Sequence, residues 1–176
     1  TTAGGGAANY IAKWNGSAWS ALSSEGMNSY VYALAVDGSG NLYAGGGFTT
    51  AGGTAANCIA KWNGSAWSAL GTGTNNSVGT LAVNGSNLYA GGSFTTAGGV
   101  TTNYVAKWNG SAWSALGSGI NSSVWALVVD GSGNLYAGGT SPRQVARRRT
   151  ASQNGTAAHG AHSGPGSTTP SLRWPA

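Results

Sequence analysis

Short apolar runs separated by glycine, asparagine and serine fill residues 1–139, and this pattern predicts β-strands. The run Val31 to Val36 is apolar on both sets of alternate positions. Val31, Ala33 and Ala35 are expected to line one side of this strand, and Tyr32, Leu34 and Val36 the other. Two apolar faces are typical of a strand buried between packed sheets. Glycine interrupts the chain every few residues, so we expect no helix longer than about two turns.

The apolar runs recur as a repeat of about 46 residues, a length typical of repeat architectures. The string NYIAKWNGSAWSAL at Asn9 to Leu22 returns at Asn57 to Leu70 as NCIAKWNGSAWSAL. It returns again at Asn103 to Leu116 as NYVAKWNGSAWSAL. Such a period indicates one supersecondary unit per repeat.

Each repeat contains four predicted strands. The first two are represented by Val31 to Val36 and Leu42 to Gly45, and the last two by Tyr10 to Trp14 and Ala18 to Leu22. The last two are joined by Asn15-Gly16, which predicts a two-residue type I′ turn with positive φ at both positions. Four short antiparallel strands match one propeller blade. We therefore predict an all-β fold, a partial β-propeller of about three four-stranded antiparallel blades that forms an open arc over residues 1–139.

Tryptophan and glycine supply the residues with predicted structural roles. Bulky indole rings are expected to fill the space between blades rather than to form a ligand platform. These are Trp14, Trp62 and Trp108, with Trp19, Trp67 and Trp113 on the last strand. Glycine doublets are expected to allow close approach near the crowded axis, at Gly45, Gly46, Gly91, Gly92, Gly138 and Gly139.

A glycine doublet closes the second strand of each repeat, an aromatic residue ends the third, and a tryptophan lies in the fourth. LYAGG at Leu42 to Gly46, followed by Trp62 and Trp67, is one example. This pattern resembles the kelch repeat. Tyr43, Tyr89 and Tyr136 stand where the kelch strand before the doublet carries its aromatic residue.

The resemblance to the kelch repeat covers residues 1–139 and has two departures. Trp62 stands where kelch repeats usually have tyrosine, and the hairpin is shortened to a two-residue Asn63-Gly64 turn. The strings GGSFTTAGG and AKWNGSAWSALGSG are similar to repeats in bacterial secreted proteins and in fungal cortical polarity-marker propellers. The resemblance implies interaction or scaffold roles.

The composition changes after Gly138-Gly139, where the arginine and proline that the repeats lack first occur. Deleting one base from plausible codons for the repeat segment Gly-Gly-Ser-Phe-Thr-Thr yields Gly-Thr-Ser-Pro-Arg-Gln, as found at Gly139 to Gln144. We therefore interpret residues 140–176 as a fourth repeat that is out of frame, and expect a disordered tail. Restoring one base near the codon of Thr140 in the gene should then yield another repeat.

The net charge of +5 comes from this C-terminal segment. In residues 1–139 the charges cancel, with Lys13, Lys61 and Lys107 against Glu25, Asp37 and Asp130. The run Arg147-Arg148-Arg149 has the composition of a nucleic-acid or nuclear-localisation patch. Out-of-frame alanine codons account for it, so we expect no nucleic-acid partner.

The repeats are poor in charge and rich in Gly, Ser, Thr and Asn, which is the composition of an exported β-protein, so we expect an extracellular or cell-surface location. No run approaches the 18 or so apolar residues of a membrane span, so no membrane insertion is expected. No signal segment is seen: the chain opens at Thr1 to Gly5, which matches Thr49 to Gly53 in mid-repeat. We interpret the chain as a fragment of a larger protein.

Catalytic and metal sites need clusters of titratable residues. Residues 1–139 contain no histidine or arginine, since His159 and His162 lie beyond them. Cys58 has tyrosine at its equivalent positions, so we predict a small buried filler rather than a disulfide, a metal ligand or a nucleophile. We therefore predict that the chain is not an enzyme and has no catalytic residue, no cofactor and no metal.

Two acidic turns place oxygens at alternate positions, as a calcium loop does. They are Asp37 to Asn41 and Asp130 to Asn134. The second repeat has Asn84 to Asn87 at this position, without a carboxylate. We therefore predict turns in which Asp and Asn bond their own backbone.

The remaining candidate site is a face formed by loops. In an antiparallel meander the second-to-third and fourth-to-first connections emerge together, which places Thr49 to Asn57 beside Gly71 to Ser77, and Thr95 to Asn103 beside Gly117 to Ser123. The candidate ligand-facing residues are Thr49, Thr50, Asn57, Asn75, Asn76, Thr95, Thr96, Asn103 and Asn121. A neutral, hydroxyl-rich face repeated around a ring is suited to multivalent binding of a glycan or a protein.

Loop uniformity bears on the choice between functions. The loops are about as uniform as the strands, with TTAGG recurring intact, which favours a non-catalytic structural or interaction repeat module. A multivalent glycan- or protein-binding propeller is the alternative. A second alternative is the non-catalytic propeller portion of a larger enzyme.

The two ends of the repeat region are complementary. The third and fourth strands of a blade come first, at Tyr10 to Leu22, and a first and second strand come last, at Val124 to Gly139. Three blades are fewer than the four to eight that close a propeller. We therefore expect the chain either to form a homodimer, in which two copies exchange half-blades and close a six-bladed ring, or to aggregate, and not to be a stable monomer.

Overall fold

The computed structural model describes residues 2–3 and 5–140, and these residues form β-strands and turns with no helix among them. The strands are β1 (Thr2–Ala3), β2 (Gly6–Ala7), β3 (Ala12–Trp14), β4 (Trp19–Ala21), β5 (Val31–Val36), β6 (Leu42–Gly46), β7 (Thr50–Ala51), β8 (Thr54–Ala55), β9 (Ile59–Trp62), β10 (Trp67–Ala69), β11 (Val78–Asn84), β12 (Asn87–Gly92), β13 (Thr96–Ala97), β14 (Val100–Thr101), β15 (Val105–Trp108), β16 (Trp113–Ala115), β17 (Val124–Val129) and β18 (Leu135–Gly139). The proposed frame-shifted tail, apart from Thr140, lies outside the described residues.

The sheets have the architecture of a partial β-propeller. Two complete antiparallel blades have the strand orders β5-β6-β9-β10 and β11-β12-β15-β16. The pair β3-β4 precedes them as the outer half of a blade, and β17-β18 follows them as the inner half. The prediction of an all-β open arc of four-stranded antiparallel blades is thus confirmed.

The core lies between successive blades. The first strand β11 contacts the first strands on both sides of it, β5 and β17. One buried cluster, which includes Ile11 and Phe48, joins the outer half-blade β3-β4 to the first complete blade. A second cluster, which includes Val78 and Phe94, joins the two complete blades. Burial of these faces, rather than local propensity, is what stabilises such short strands.

A β-bulge changes which side chains of β5 share a face. The register shifts between Val31 and Ala33, which pair with Gly46 and Gly45 respectively. Val31 consequently packs against the first cluster and Ala35 against the second. The prediction that Val31, Ala33 and Ala35 line one side is therefore wrong, because an extra residue in a bulged strand reverses the alternation of faces.

The first strand of a blade is covered on both faces only inside the arc. In β11, Leu81 and Val83 are partly buried against the second cluster. Their counterparts in β5, Leu34 and Val36, are 53% and 60% exposed, and Tyr32 is also exposed. The expectation of two covered faces therefore fails for β5, because the described residues supply no first strand of a preceding blade to cover that side of it.

The outer hairpin turns differ from the predicted type I′ turn. Trp62 pairs with Trp67, so the loop has four residues, Asn63 to Ala66, rather than two. Gly64 has φ +100°, whereas Asn63 is not among the residues with positive φ. The side-chain Oδ1 of Asn63 instead accepts hydrogen bonds from the backbone N–H groups of Ser65 and Ala66, at 2.9 Å each. An Asx turn, not an Asn-Gly type I′ turn, reverses the chain here.

Replacing Gly64 with valine should destabilise the protein by about 1–2 kcal/mol or more, because a β-branched residue is forced to positive φ. No atom other than those of its chain neighbours lies within 4 Å of a Cβ built at this position, so the cost is conformational and not steric. Ala66→Ser, at an exposed position of the same loop, is the matched control and should change stability little. Equal urea midpoints for the two variants would show that φ at Gly64 does not constrain the turn.

The segments between the second and third strands of each blade, predicted to be loops, form small hairpins. In β7-β8, Ala51 pairs with Thr54 across Gly52 and Gly53, whose φ angles are +53° and +78°. Gly98 and Gly99 repeat this between β13 and β14, with φ of +58° and +81°. Positive φ at both central residues is the requirement of a type I′ turn. The glycine pair of the TTAGG string thus forms the kind of tight turn that was predicted at the Asn-Gly positions.

Among the described residues, no helix has the length and apolar character needed to cross a membrane.

Candidate functional site

The candidate loop face is built from the small hairpins and the loops that precede the first strands. An isolated β-bridge joins Met27 to Ala51, and the N–H of Gly52 donates to the carbonyl oxygen of Gly26 at 2.6 Å. The next repeat has the same arrangement, with a bridge between Thr74 and Ala97. Each small hairpin is therefore fastened to a neighbouring loop by backbone hydrogen bonds.

An asparagine side chain holds each small hairpin in place. The Oδ1 of Asn75 accepts hydrogen bonds from the N–H groups of Thr95 (2.9 Å) and Thr96 (3.0 Å), and its Nδ2 donates to Oγ1 of Thr95 (2.9 Å). Asn28 makes the same three bonds with Thr49 and Thr50. The candidate residues are therefore bonded within the protein in two separate networks, Thr49 and Thr50 with Asn28, and Thr95 and Thr96 with Asn75.

A second asparagine in each repeat ties the third strand to the following loop. Asn57 donates from Nδ2 to the carbonyl oxygen of Thr72 at 3.0 Å, and its own carbonyl oxygen accepts from the N–H of Thr74 at 3.0 Å. Asn103 makes the equivalent bonds to Ser118 and Ile120, so the segments expected to lie side by side do so. These pairings position the loops of one blade against those of the next.

The last two candidate residues are also engaged. The Oδ1 of Asn76 accepts a hydrogen bond from the N–H of Ser77 at 2.7 Å, and Asn121 has an interaction partner as well. The sequence pattern predicted the other polar residues of this face but not Asn28. Asn28 bonds Thr49, which lies 21 residues further along the chain, so no local pattern indicates its role.

The tryptophan pairs lie at the ends of the third and fourth strands. Trp14 and Trp19, Trp62 and Trp67, and Trp108 and Trp113 are directly opposite each other in the hairpins. Trp67, Trp108 and Trp113 are buried and Trp62 is partly buried, as predicted. Trp14 and Trp19 are each 50% exposed. The prediction of burial is wrong for this first pair, because no described blade covers their side of the half-blade β3-β4.

Trp113 and Trp67 occupy equivalent sites with one difference. Both are 6% exposed, and both rings lie against a glycine of a small hairpin, Gly98 and Gly52 respectively. The Nε1 of Trp113 donates to the carbonyl oxygen of Leu70 at 2.8 Å. The Nε1 of Trp67 is buried and has no hydrogen-bond partner among the described residues. A buried donor without a partner costs free energy, so the site at Trp67 is less stabilising than the site at Trp113.

The acidic turns hold their carboxylates in internal hydrogen bonds. The Oδ1 of Asp130 accepts from the N–H groups of Ser132 and Asn134, and its Oδ2 accepts from Asn134 Nδ2 (2.7 Å) and from the hydroxyl of Tyr136 (3.0 Å). Asp37 repeats these four bonds with its own turn and Tyr43. Both carboxylates serve the turns, as predicted. No group of three or more metal-ligating side chains occurs within the described ranges.

These hydrogen bonds shift the pKa values of the turn residues. The two hydrogen bonds from Asn134 are the largest cause, and with weaker bonds from Tyr136 and Ser132 they outweigh the opposing effect of burial and lower the pKa of Asp130 to about 2. Burial opposes ionisation of Asp37, but the bonds from Asn41, Ser39 and Tyr43 outweigh it and its pKa is lowered. Burial and the bond to Asp37 raise the pKa of Tyr43 to about 12.

The Asp130 carboxyl should titrate near pH 2 in a carboxyl ¹³C NMR titration. Because its folded pKa lies below the unfolded value of about 3.9, its contribution to stability is present above pH 4 and is lost as the pH falls towards 2. Asn134→Ala removes the largest stabilising bond and should move the pKa towards 3.8. Asn109→Ala, in an outer hairpin turn, should leave the Asp130 titration unchanged; an unshifted Asp130 pKa in Asn134→Ala would contradict the assignment.

Cys58 is half-buried rather than fully buried, and its φ of +62° is unusual for a residue other than glycine. Tyr10 and Tyr104, at the equivalent positions, have φ of +63° and +68°. Burial raises the pKa of the Cys58 thiol, against a smaller lowering by a hydrogen bond with Thr74. A thiol held protonated in this way is a poor nucleophile. Its distinctive feature is the backbone conformation that it shares with the two tyrosines.

Comparison of the chain with models of known protein families finds no match, and comparison with curated protein sequences finds none.

Proposed function

We propose that the chain is a non-catalytic structural or interaction repeat module, a kelch-like propeller segment of a larger secreted or cell-surface protein. The observation that carries the proposal is the use of the loop-face side chains. Asn28 and Asn75 each use the amide oxygen and the amide nitrogen to bond the small hairpin of the same blade. The two networks have the same three hydrogen bonds. Side chains used in this way hold the loops of a blade together, which is the task of a scaffold.

Two further observations support a non-catalytic role. Asp37 and Asp130 occupy equivalent turns and each already accepts four hydrogen bonds, so neither is poised to take a proton from a substrate. The kelch-like arrangement of glycine doublet, tyrosine and tryptophan recurs with little change from blade to blade. Uniform blades favour a supporting role over a unique site.

The alternative is a multivalent binding face, and the asparagines of the loop face distinguish the two. If the network is structural, Asn75→Ala should lower the free energy of unfolding by about 1 kcal/mol, because three hydrogen bonds between exposed groups are lost and water replaces them only in part. The neighbouring Asn76→Ala loses one local bond and should cost less. Unfolding is measured in urea by circular dichroism.

A parallel measurement tests binding on immobilised cellulose and chitin. Under the proposal, neither polysaccharide retains the chain. The proposal is overturned if Asn75→Ala keeps the wild-type urea midpoint but abolishes retention on a polysaccharide that holds the wild-type chain.

A further inference from the structure

The described residues contain four Asn-Gly steps, and each is followed by serine. They are Asn15-Gly16, Asn63-Gly64, Asn84-Gly85 and Asn109-Gly110. An asparagine side chain next to glycine can react with the main chain, because glycine has no Cβ to hinder approach to its backbone nitrogen. Since all four steps share the tripeptide Asn-Gly-Ser, a difference in reactivity among them is caused by the fold and not by the local sequence.

Three of the four asparagines are tethered in the outer hairpin turns. The Oδ1 of Asn63 accepts hydrogen bonds from the N–H of Ser65, the hydroxyl of Ser65 and the N–H of Ala66, each at 2.9 Å. Asn15 and Asn109 have the same three bonds in their own turns. These bonds hold the amide in one rotamer, so its carbon moves onto the following backbone nitrogen only when they are broken.

Asn84 lies in a turn of a different kind. It is the last residue of β11, it pairs directly with Asn87 of β12, and it is exposed. Only Gly85 and Ser86 separate the two strands. Gly85 has φ +59° and Ser86 is not among the residues with positive φ, which is the pattern of a type II′ turn. Within the described ranges, the Asn84 amide has none of the three tethering bonds of the outer turns.

The backbone next to Asn84 is also open. A Cβ built on Gly85 meets no described atom within 4 Å other than those of its chain neighbours. Gly85 and Ser86 are both exposed. The Asn84 side chain therefore has room to turn towards the backbone nitrogen of Gly85, and water reaches whatever forms there.

We propose that Asn84-Gly85 is a self-modification site, at which the folded chain deamidates faster than at the other three steps. The backbone nitrogen of Gly85 attacks Cγ of Asn84, and the new C–N bond closes a succinimide ring. The bond between Cγ and Nδ2 breaks, and the amide nitrogen leaves as ammonia with the proton that the Gly85 nitrogen gives up. Water then opens either C–N bond of the ring, which leaves aspartate or isoaspartate. This inference does not depend on the proposed function.

Both products change the second complete blade. Asn84 stands where the other repeats carry Asp37 and Asp130, so aspartate gives this turn the carboxylate that it lacks. The Nδ2 of Asn84 lies 3.4 Å from a Cβ built at Gly133, so the new charge is placed beside the turn of Asp130 and repels its carboxylate. Isoaspartate adds a carbon atom to the main chain, which disrupts the direct pairing of Asn84 with Asn87.

Incubation of the folded full chain in mildly alkaline buffer tests the proposal. Chymotryptic digestion and mass spectrometry report the deamidated fraction at each asparagine separately. Asn84 should deamidate at least about tenfold faster than Asn15, Asn63 and Asn109, because three ordinary hydrogen bonds together exceed the free energy of a tenfold rate difference. In a chain unfolded in guanidinium chloride, the four rates should become similar, since the local sequences are the same.

A matched variant tests the tether itself. Ser65→Ala, at an exposed position, removes one of the three donors to Asn63 and leaves the turns of Asn15 and Asn109 unchanged. The deamidation rate of Asn63 should rise about threefold or more, while the other two turns serve as controls within the same molecule. Rates in the folded chain that are no higher at Asn84 than at the outer turns overturn the proposal, as does an unchanged Asn63 rate in Ser65→Ala.

Discussion

Gly92→Ala should be among the most destabilising single substitutions in the chain, with a loss of about 3 kcal/mol or more, because overpacking against an immovable neighbour is at the upper end of its usual cost. A Cβ at this position would overlap the carbonyl oxygen of Ser77 and approach Cα of Val78 to 3.0 Å. Both are backbone atoms of the bulge that begins β11, so neither moves without breaking the pairing of β11 with β12. Urea unfolding followed by circular dichroism measures the change.

Gly38→Ala is the matched control for Gly92→Ala. Gly38 lies in an exposed turn, its φ is not positive, and a Cβ there meets no atom within 4 Å other than those of its chain neighbours. Its substitution should shift the free energy of unfolding by no more than about 0.5 kcal/mol. Similar midpoints for the two variants would show that the glycine doublet is not required by close packing.

Trp113→Ala should lower the free energy of unfolding by about 3–5 kcal/mol, the usual range for a buried aromatic residue replaced by alanine. The side chain is 6% exposed, packs in the cluster between the two complete blades, and donates a hydrogen bond to Leu70. Circular dichroism is the appropriate signal, since the substitution also removes a fluorophore.

The paired variants Trp113→Phe and Trp67→Phe separate the hydrogen bond from the packing. Both retain an aromatic ring at an equally buried site, but only Trp113 has a partner for Nε1. Trp113→Phe should therefore cost about 1 kcal/mol more than Trp67→Phe. Equal losses would indicate that the bond to Leu70 contributes nothing to stability.

Much of the fold follows from the repeat. The period and the alternation of apolar runs with glycine-rich turns predict the strands and their order, because each run can bury its side chains only when its neighbours in the repeat do so. The turn chemistry was less predictable. The dipeptide Asn63-Gly64 is typical of a type I′ hairpin turn. Instead, the Asn63 side chain accepts hydrogen bonds from two backbone N–H groups of a four-residue loop. The choice depends on the register of Trp62 with Trp67, which is a property of the hairpin and not of the dipeptide.

The sequence predicted which polar residues form the candidate loop face, but not that their side chains stabilise the loops. Asn75, Thr95 and Thr96 were identified as polar loop residues available to a ligand, whereas they bond one another. No local pattern shows this, because the two loops are 20 residues apart and meet only when the blade is formed.

The sequence by itself determined the repeat, the strand order, the all-β class and the internal turns of Asp37 and Asp130, since all of these depend on contacts within one repeat. Only the tertiary structure decided which copy of each repeated residue is buried. Trp19 and Trp113 belong to nearly identical strings, yet one is half-exposed and the other is covered. The physical reason is that an indole ring here is buried by the neighbouring blade, and a repeat cannot encode whether that neighbour is present.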